Sequence, residues 1–283
     1  MRKLIITGDD FGFSPPVNEA IEEAHRRGIL NTASLMVGAR ATADAVDRAR
    51  RLPSLHVGLH LVLVEGSPVL PPQAVPDLVN RQGEFPSHLV RAGINFFLRP
   101  QVRRQLEAEI RAQFQAFQKT GLLLDHVNGH HHMHLHPTVS GLLLKVGREY
   151  GMRAIRLPYE PPFPSWRASR RAFFTKMLGW LFLSPWLILL RSRLRRADVR
   201  SNDFIFGMND TGRMDPDIVL RFLKYLPHGV TEIYFHPAAS FTPADHSTMG
   251  DGCHQDELEA LTSPAVREAL LASHIQRIAF SNL

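Results

Sequence analysis

Lys3-Leu4-Ile5-Ile6-Thr7-Gly8-Asp9-Asp10-Phe11-Gly12 carries an apolar, β-prone run straight into two carboxylates. An uninterrupted apolar run of this kind suits a strand buried on both faces, as in a parallel sheet. A helical pattern follows from Pro16 to Arg27, and no glycine fingerprint of the dinucleotide-binding type opens it. The same unit recurs. Strands are predicted at Lys3 to Gly8, Thr32 to Val37, Leu55 to Val64, Leu122 to Asn128, Arg153 to Leu157, Val230 to Phe235 and Arg277 to Phe280. Helices are predicted at Pro16 to Arg27, Thr42 to Arg51, Val102 to Lys119, Pro137 to Tyr150, Asp215 to Tyr225 and Asp256 to Ala272. Strand and helix in alternation predict parallel strands with crossover helices. An α/β fold of the irregular (β/α) TIM-like barrel type fits the length better than a doubly wound sheet.

The 283 residues, 44% hydrophobic and 21% charged, are read as one domain, 1–283, with insertions at about 65–100 and 165–200. The first insertion is rich in proline (Pro68, Pro71, Pro72, Pro76 and Pro86) and reads as a long loop over the barrel rim. A single cysteine, Cys253, excludes an internal disulfide or a cysteine metal cluster and points to a reducing cytoplasm. The N-terminal apolar run is too short for a signal peptide, so export is not expected. The net charge of +6 is concentrated between Trp166 and Arg200, where Asp198 stands alone against many arginines.

Barrel active sites gather at the C-terminal ends of the strands. The polar residues there are Asp9 and Asp10, His60, His130, Arg156 and His236. Adjacent carboxylates on a continuing strand point apart, so one can bind a cation while the other reaches a water; the same Asp-Asp-x-Gly also makes a turn into a helix. In Leu55-His56-Val57-Gly58-Leu59-His60, period two puts His56, Gly58 and His60 on one face. The strongest signal is Asp125-His126-Val127-Asn128-Gly129-His130-His131-His132-Met133-His134-Leu135-His136, where His126, Asn128 and His130 share a face if the strand continues. Packing alone calls for no such density of histidine among the 15 in the chain. A catalytic metal takes about three protein ligands, so the surplus histidines serve as supporting donors, substrate contacts or loop. An Asp-His-His set suits zinc, cobalt, manganese or nickel better than calcium, and magnesium if waters fill the sphere. Arg156, at a strand end, could hold an aspartate ionised, and His236 could supply a proton to a leaving amine.

Gly8-Asp9-Asp10-Phe11-Gly12, Gly58-Leu59-His60, the run from His126 to His134 and His236-Pro237 resemble, in the right order, the YdjC-like or ChbG-type carbohydrate deacetylases. The resemblance implies a hydrolase that removes N-acetyl groups from an amino sugar by cleaving a linear amide C–N bond. It makes Asp10, His60 and His130 the ligands of one divalent metal, magnesium or zinc. Asp9 becomes the general base, His236 the general acid, and Arg156-Leu157-Pro158-Tyr159 is similar to an Arg-x-Pro-Tyr element of the wider group. Asn128, His132 and Tyr159 are expected to contact substrate. Asn128 departs from the family pattern, which usually has Asp there.

Between Phe173 and Leu190 an apolar stretch is flanked by arginines. Lys176 and Pro185 within it, and strands of one barrel on both sides, argue against a spanning segment and for a helical hairpin lying on an anionic membrane surface. A barrel helix with a solvated basic face is the plainer alternative. With Arg200-Ser201-Asn202-Asp203, this insertion looks like the subgroup associated with hopanoid biosynthesis, whose substrate would be an N-acetylglucosaminyl lipid. The implied partners are an amino-sugar substrate, lipid-linked in that subgroup, a peripheral contact of 173–190 with the inner face of the membrane, and a second copy in a homodimer. A soluble chitooligosaccharide substrate and a non-catalytic metal-binding scaffold are the competing readings. Nucleic acid is disfavoured despite a pI near 9.9, because the basic run is interleaved with an apolar core instead of stacking aromatics.

Overall fold

A computed structural model describes residues 1–240 and 254–283; Cys253 lies outside them. The centre of the fold is β1 (Arg2–Phe11), flanked in a wholly parallel sheet ordered β4-β3-β2-β1-β6-β5. The other strands are β2 (Thr32–Leu35), β3 (His56–Leu61), β4 (Val127–Gly129), β5 (Phe204–Phe206), β6 (Gly229–Phe235) and β7 (Ile275–Arg277). β7 pairs with the start of β1, Arg2 to Leu4, while β2 pairs with its later half from Thr7 onward. Isolated bridges Val127–Ile155 and Ala154–Arg200 carry the pairing beyond β4, so the sheet curls toward closure as an irregular, TIM-like half-barrel.

Helices α1 (Pro15–Arg27), α2 (Thr42–Arg50), α4 (Pro100–Lys119), α5 (Pro137–Glu149) and α8 (Pro216–Tyr225) cover the outer face. Each except α2 opens on proline within its first turn, where the missing N–H costs nothing. Leu4, Ile5 and Ile6 of β1 are buried, as their unbroken apolar run requires.

Several predicted boundaries shift. The strand expected at Arg153 to Leu157 is reduced to bridging residues, and the one expected from Leu122 begins only at Val127, because Leu123 projects into solvent. The last strand sits at Ile275–Arg277, and Phe280 opens a 3₁₀ turn. The helix expected over Asp256 to Ala272 is two, α9 (His254–Thr262) and α10 (Pro264–Ala272). Ser263 caps the second through the Val266 N–H, and Pro264 cannot continue the first.

The insertions depart most. Residues 65–100 hold α3 (Leu89–Leu98), which buries Ala92 and Phe96 and leaves Val90, Ile94 and Leu98 exposed. In place of a hairpin, α6 (Pro162–Ser169) leads into one continuous helix, α7 (Phe173–Ala197), which packs on α5 and α6. Its apolar side chains run all round instead of forming one stripe, so Phe174, Leu178, Phe182 and Ile188 stand exposed. By length and composition α7 could cross a membrane, with mean hydropathy 1.6 over its most apolar window.

Candidate active site

The pairing of β1 with β2 shifts register between Gly8 and Phe11, and Asp10 takes a left-handed backbone, φ 60°. The break in strand geometry turns Asp9 and Asp10 into the same pocket, against the alternation a continuing strand would impose. Such a φ is uncommon outside glycine and is held by surrounding structure. His131 and His132, φ 50° and 53°, share the conformation on the opposite wall.

Asp10 Oδ1 lies 3.2 Å from both His60 Nε2 and His130 Nδ1. It is nonetheless aligned for a hydrogen bond with neither, and remains a buried polar atom without a partner. Ligand atoms of Asp10, His60 and His130 all fall within 4.8 Å of one another. Convergent lone pairs around an unsatisfied carboxylate oxygen suit a cation, so the donor set fits the divalent metal the sequence implies. A hydrogen bond on its far nitrogen orients His60 for ligation. The ring's Nδ1–H donates to Asn128 Oδ1 at 2.7 Å, leaving Nε2 facing the cluster. Burial opposes charge on Asp10, but His130 and His60 hold its carboxyl well below the usual range.

Asn128, where the resemblance leads one to expect aspartate, bridges several neighbours. Its amide nitrogen donates to Asp9 Oδ1 at 3.1 Å and to Ser34 Oγ at 2.8 Å, while its carbonyl takes the His60 proton. An aspartate here would set a second negative charge against Asp9, whereas the amide serves both neighbours.

Arg156 is fully buried, not a surface arginine. Its Nη2 donates to Asp9 Oδ1 at 3.0 Å, Nη1 binds Asp9 Oδ2, and Nε donates to Glu232 Oε2 at 2.8 Å. Burial works to raise the Asp9 pKa, but Arg156 and His60 outweigh it and hold the group ionised. Glu232 was not among the sequence candidates, although period two along β6 puts it on one face with Tyr234 and His236. Breaking a buried charge cluster costs about 3–5 kcal/mol. Arg156→Met is therefore expected to lower unfolding free energy by about that amount in urea denaturation, and an unchanged midpoint would contradict the pairing.

His236 completes the wall, with Nε2 4.0 Å from Asp10 Oδ2 and Nδ1 2.9 Å from Thr211 Oγ1. Burial lowers its pKa to about 4 against the raising pull of Asp10 and Asp9. Its backbone N–H and that of Gly212 both donate, at 2.5 Å, to Glu257, whose buried carboxyl is pushed up to about 7. His132 lines the pocket and meets Tyr234 Oη at 3.1 Å.

The other histidines divide as their number required. His126 is buried between Ser34 and Asp125, stacked on Phe280, and His134 meets the Arg156 carbonyl at 3.1 Å. His131 pairs with Glu65 at 2.7 Å, and His56 turns outward toward Asp125 and Ser281. Tyr159 falls outside the pocket, because the turn that bonds its N–H to Leu157 O carries it into a separate groove with Trp180 and Leu187. Leu89, Met208 and Thr211 line the pocket and carry no sequence signal, since the loop and helix that bring them are remote along the chain.

An irregular parallel barrel carries a buried Asp-His-His cluster beside an arginine-held aspartate, and the curated relatives of the chain, named carbohydrate deacetylases, make it an enzyme of the deacetylase class. Its family follows from comparison. The chain belongs to the YdjC-like family, whose model, described as YdjC-like protein, matches residues 3–272. A carbohydrate deacetylase of Brevibacillus brevis is 42% identical over 99% of both chains. One of Mus musculus is 32% identical over 99% of this chain and 94% of its own. Among solved structures, an Enterococcus faecalis V583 protein described as a cellobiose-phosphate cleavage protein superposes with TM-score 0.76 at 27% identity, covering 99% of this chain and 98% of that one.

Proposed function

We propose that this chain is a metal-dependent N-deacetylase acting on an N-acetylated amino sugar carried by a lipid, in the manner of an N-acetylglucosaminyl hopanoid. The observation that carries the lipid-linked reading is the apolar cleft beside the pocket. The polar pocket, about 250 Å³, shares Leu89, His131, His132 and Met208 with a cleft of about 770 Å³ between α3 and α7, walled by Phe97, Phe182, Leu183 and Trp186. A free sugar can lay only one small C–H face on such rings, whereas a polycyclic or acyl aglycone buries a large apolar surface there at about 25 cal/mol per Å². The exposed apolar residues of α3 and α7 flank the cleft mouth and would meet a bilayer from which the substrate is drawn.

Asp10, His60 and His130 would hold the metal, which supplies Lewis-acid polarisation of the acetamide and of an attacking water. Asp9, which lines the pocket and is kept as a carboxylate by Arg156, receives the water's proton on a lone pair that its hydrogen bonds to Arg156 and Asn128 leave free. His236, steadied at Nδ1 by Thr211, presents Nε2 to the departing amine. Acetate and a free amino sugar are the products.

Mass spectrometry after incubation with N-acetylglucosaminyl lipids in mixed micelles, and with chitooligosaccharides, tests the reading. Loss of one acetyl group from the lipid is expected. Phe182→Ser in the cleft should raise the lipid KM about tenfold and leave a soluble sugar's KM unchanged. Turnover of chitooligosaccharides alone, indifferent to Phe182, would instead establish a soluble substrate.

A further inference from the structure

We propose that Lys176 is a positioning residue for the proton donor: from α7 it clamps the loop whose Thr211 aligns His236. The proposal rests on the reading of His236 as general acid. Lys176 is buried, 2% exposed, and is the one charged residue in the apolar stretch of α7 from Phe173 to Leu190. A buried ammonium is costly unless paired and hydrogen-bonded. Its Nζ lies 2.5 Å from Asp210 Oδ2 and donates to Ser165 Oγ at 2.7 Å. Ser165 Oγ in turn donates a hydrogen bond to Glu160 Oε1, and the other Glu160 oxygen accepts the Asn209 N–H at 3.1 Å. Asn209 and Asp210 are thus fastened to α6 and α7, while Gly212 is fastened to Glu257 at 2.5 Å.

Thr211 stands between these anchors, and its hydroxyl reaches His236 Nδ1 at 2.9 Å. Glu257 grips the backbone of Gly212 and of His236 together, so the loop and the imidazole move as one. Asp210 is the carboxylate in direct contact with the Lys176 ammonium, whereas Glu160 is reached only through Ser165. The same loop sends Met208 into the pocket and both Met208 and Asn209 into the apolar cleft. Whatever fills the cleft therefore touches the loop that orients the acid.

A double-mutant cycle on the metal-loaded full chain decides the matter, with an N-acetylated amino sugar that the wild type hydrolyses as substrate. Lys176→Met is expected to lower kcat about 10- to 100-fold, with KM within about threefold and metal content intact. In a His236→Ala background the same substitution should have no further effect, because its route to the chemistry has gone. Lys176→Arg should recover part of the lost kcat. If Lys176→Met does not fold, Asp210→Asn, which keeps the shape and removes the charge, takes its place in the cycle. Additive losses, or an unchanged kcat, overturn the positioning role. A wild type that leaves every N-acetyl sugar intact overturns the functional reading itself.

Discussion

Asp9→Asn is expected to lower kcat by about three orders of magnitude, within the 10²–10⁴ range of general acid–base catalysis, while the metal stays bound. Asp9 does not share the cluster formed by Asp10, His60 and His130; its oxygens are taken by Arg156 and Asn128. Asparagine keeps the shape, removes the group that can accept a proton, and faces the guanidinium with an amide. Glu232 still neutralises Arg156, so the fold survives at a cost of about 1–3 kcal/mol for the impaired buried hydrogen bonds. Acetate release measured beside elemental analysis separates the outcomes. Undiminished turnover removes Asp9 as base, and lost metal would move it into the ligand set.

His130→Ala should deplete the metal and take activity with it. The imidazole is 4% exposed, its Nδ1 sits 3.2 Å from Asp10 Oδ1, and its Nε2 has no hydrogen-bond partner. A bound cation at the cluster would offset the cost of burying a side chain so incompletely satisfied. Changing a residue that merely supports a metal ligand commonly costs 10- to 100-fold in affinity, so removing a ligand should cost at least about 100-fold. His60→Ala is expected to behave alike. Asn128→Ala, which frees the His60 ring without removing it, should fall in the milder range. Metal titration followed by calorimetry measures all three, and full occupancy in both histidine variants would sink the ligand assignment.

Much of this was legible along the chain because the residues that bear chemistry sit at strand ends, where local pattern and position coincide. His60 and His130 could be named from period two and from the density of histidine, whereas Asp10 was set apart from Asp9 only by the family resemblance; the three meet in one cluster. Arg156 and His236 were legible only as residue types in suitable places. Their meaning depends on partners about 76 and 25 residues away, Glu232 and Thr211, and no local pattern pairs either of them with its partner. Tyr159 was misplaced because adjacency to Arg156 in sequence says nothing about the turn that separates them. The insertions were read as a rim loop and a hairpin, since proline density and apolar bulk record composition. They do not record the face on which a helix finds its support.

The alternation of strand and helix, the parallel barrel and the residue types of the Asp-His-His cluster were legible in the sequence alone, because backbone periodicity and side-chain chemistry are local properties; β5, for which no strand was predicted, was not. Tertiary structure alone decided three things. The register shift at Asp10 brings two neighbouring carboxylates into one pocket, where a continuing strand would have parted them. Asn128 becomes the bridge between His60 and Asp9, because β1 and β3 bring those residues to either side of its amide. The apolar cleft exists only where α3 and α7, far apart in the chain, stand across from each other beside the pocket. Each depends on which surfaces packing brings face to face, and that is a property of the whole chain's burial that no window of it contains.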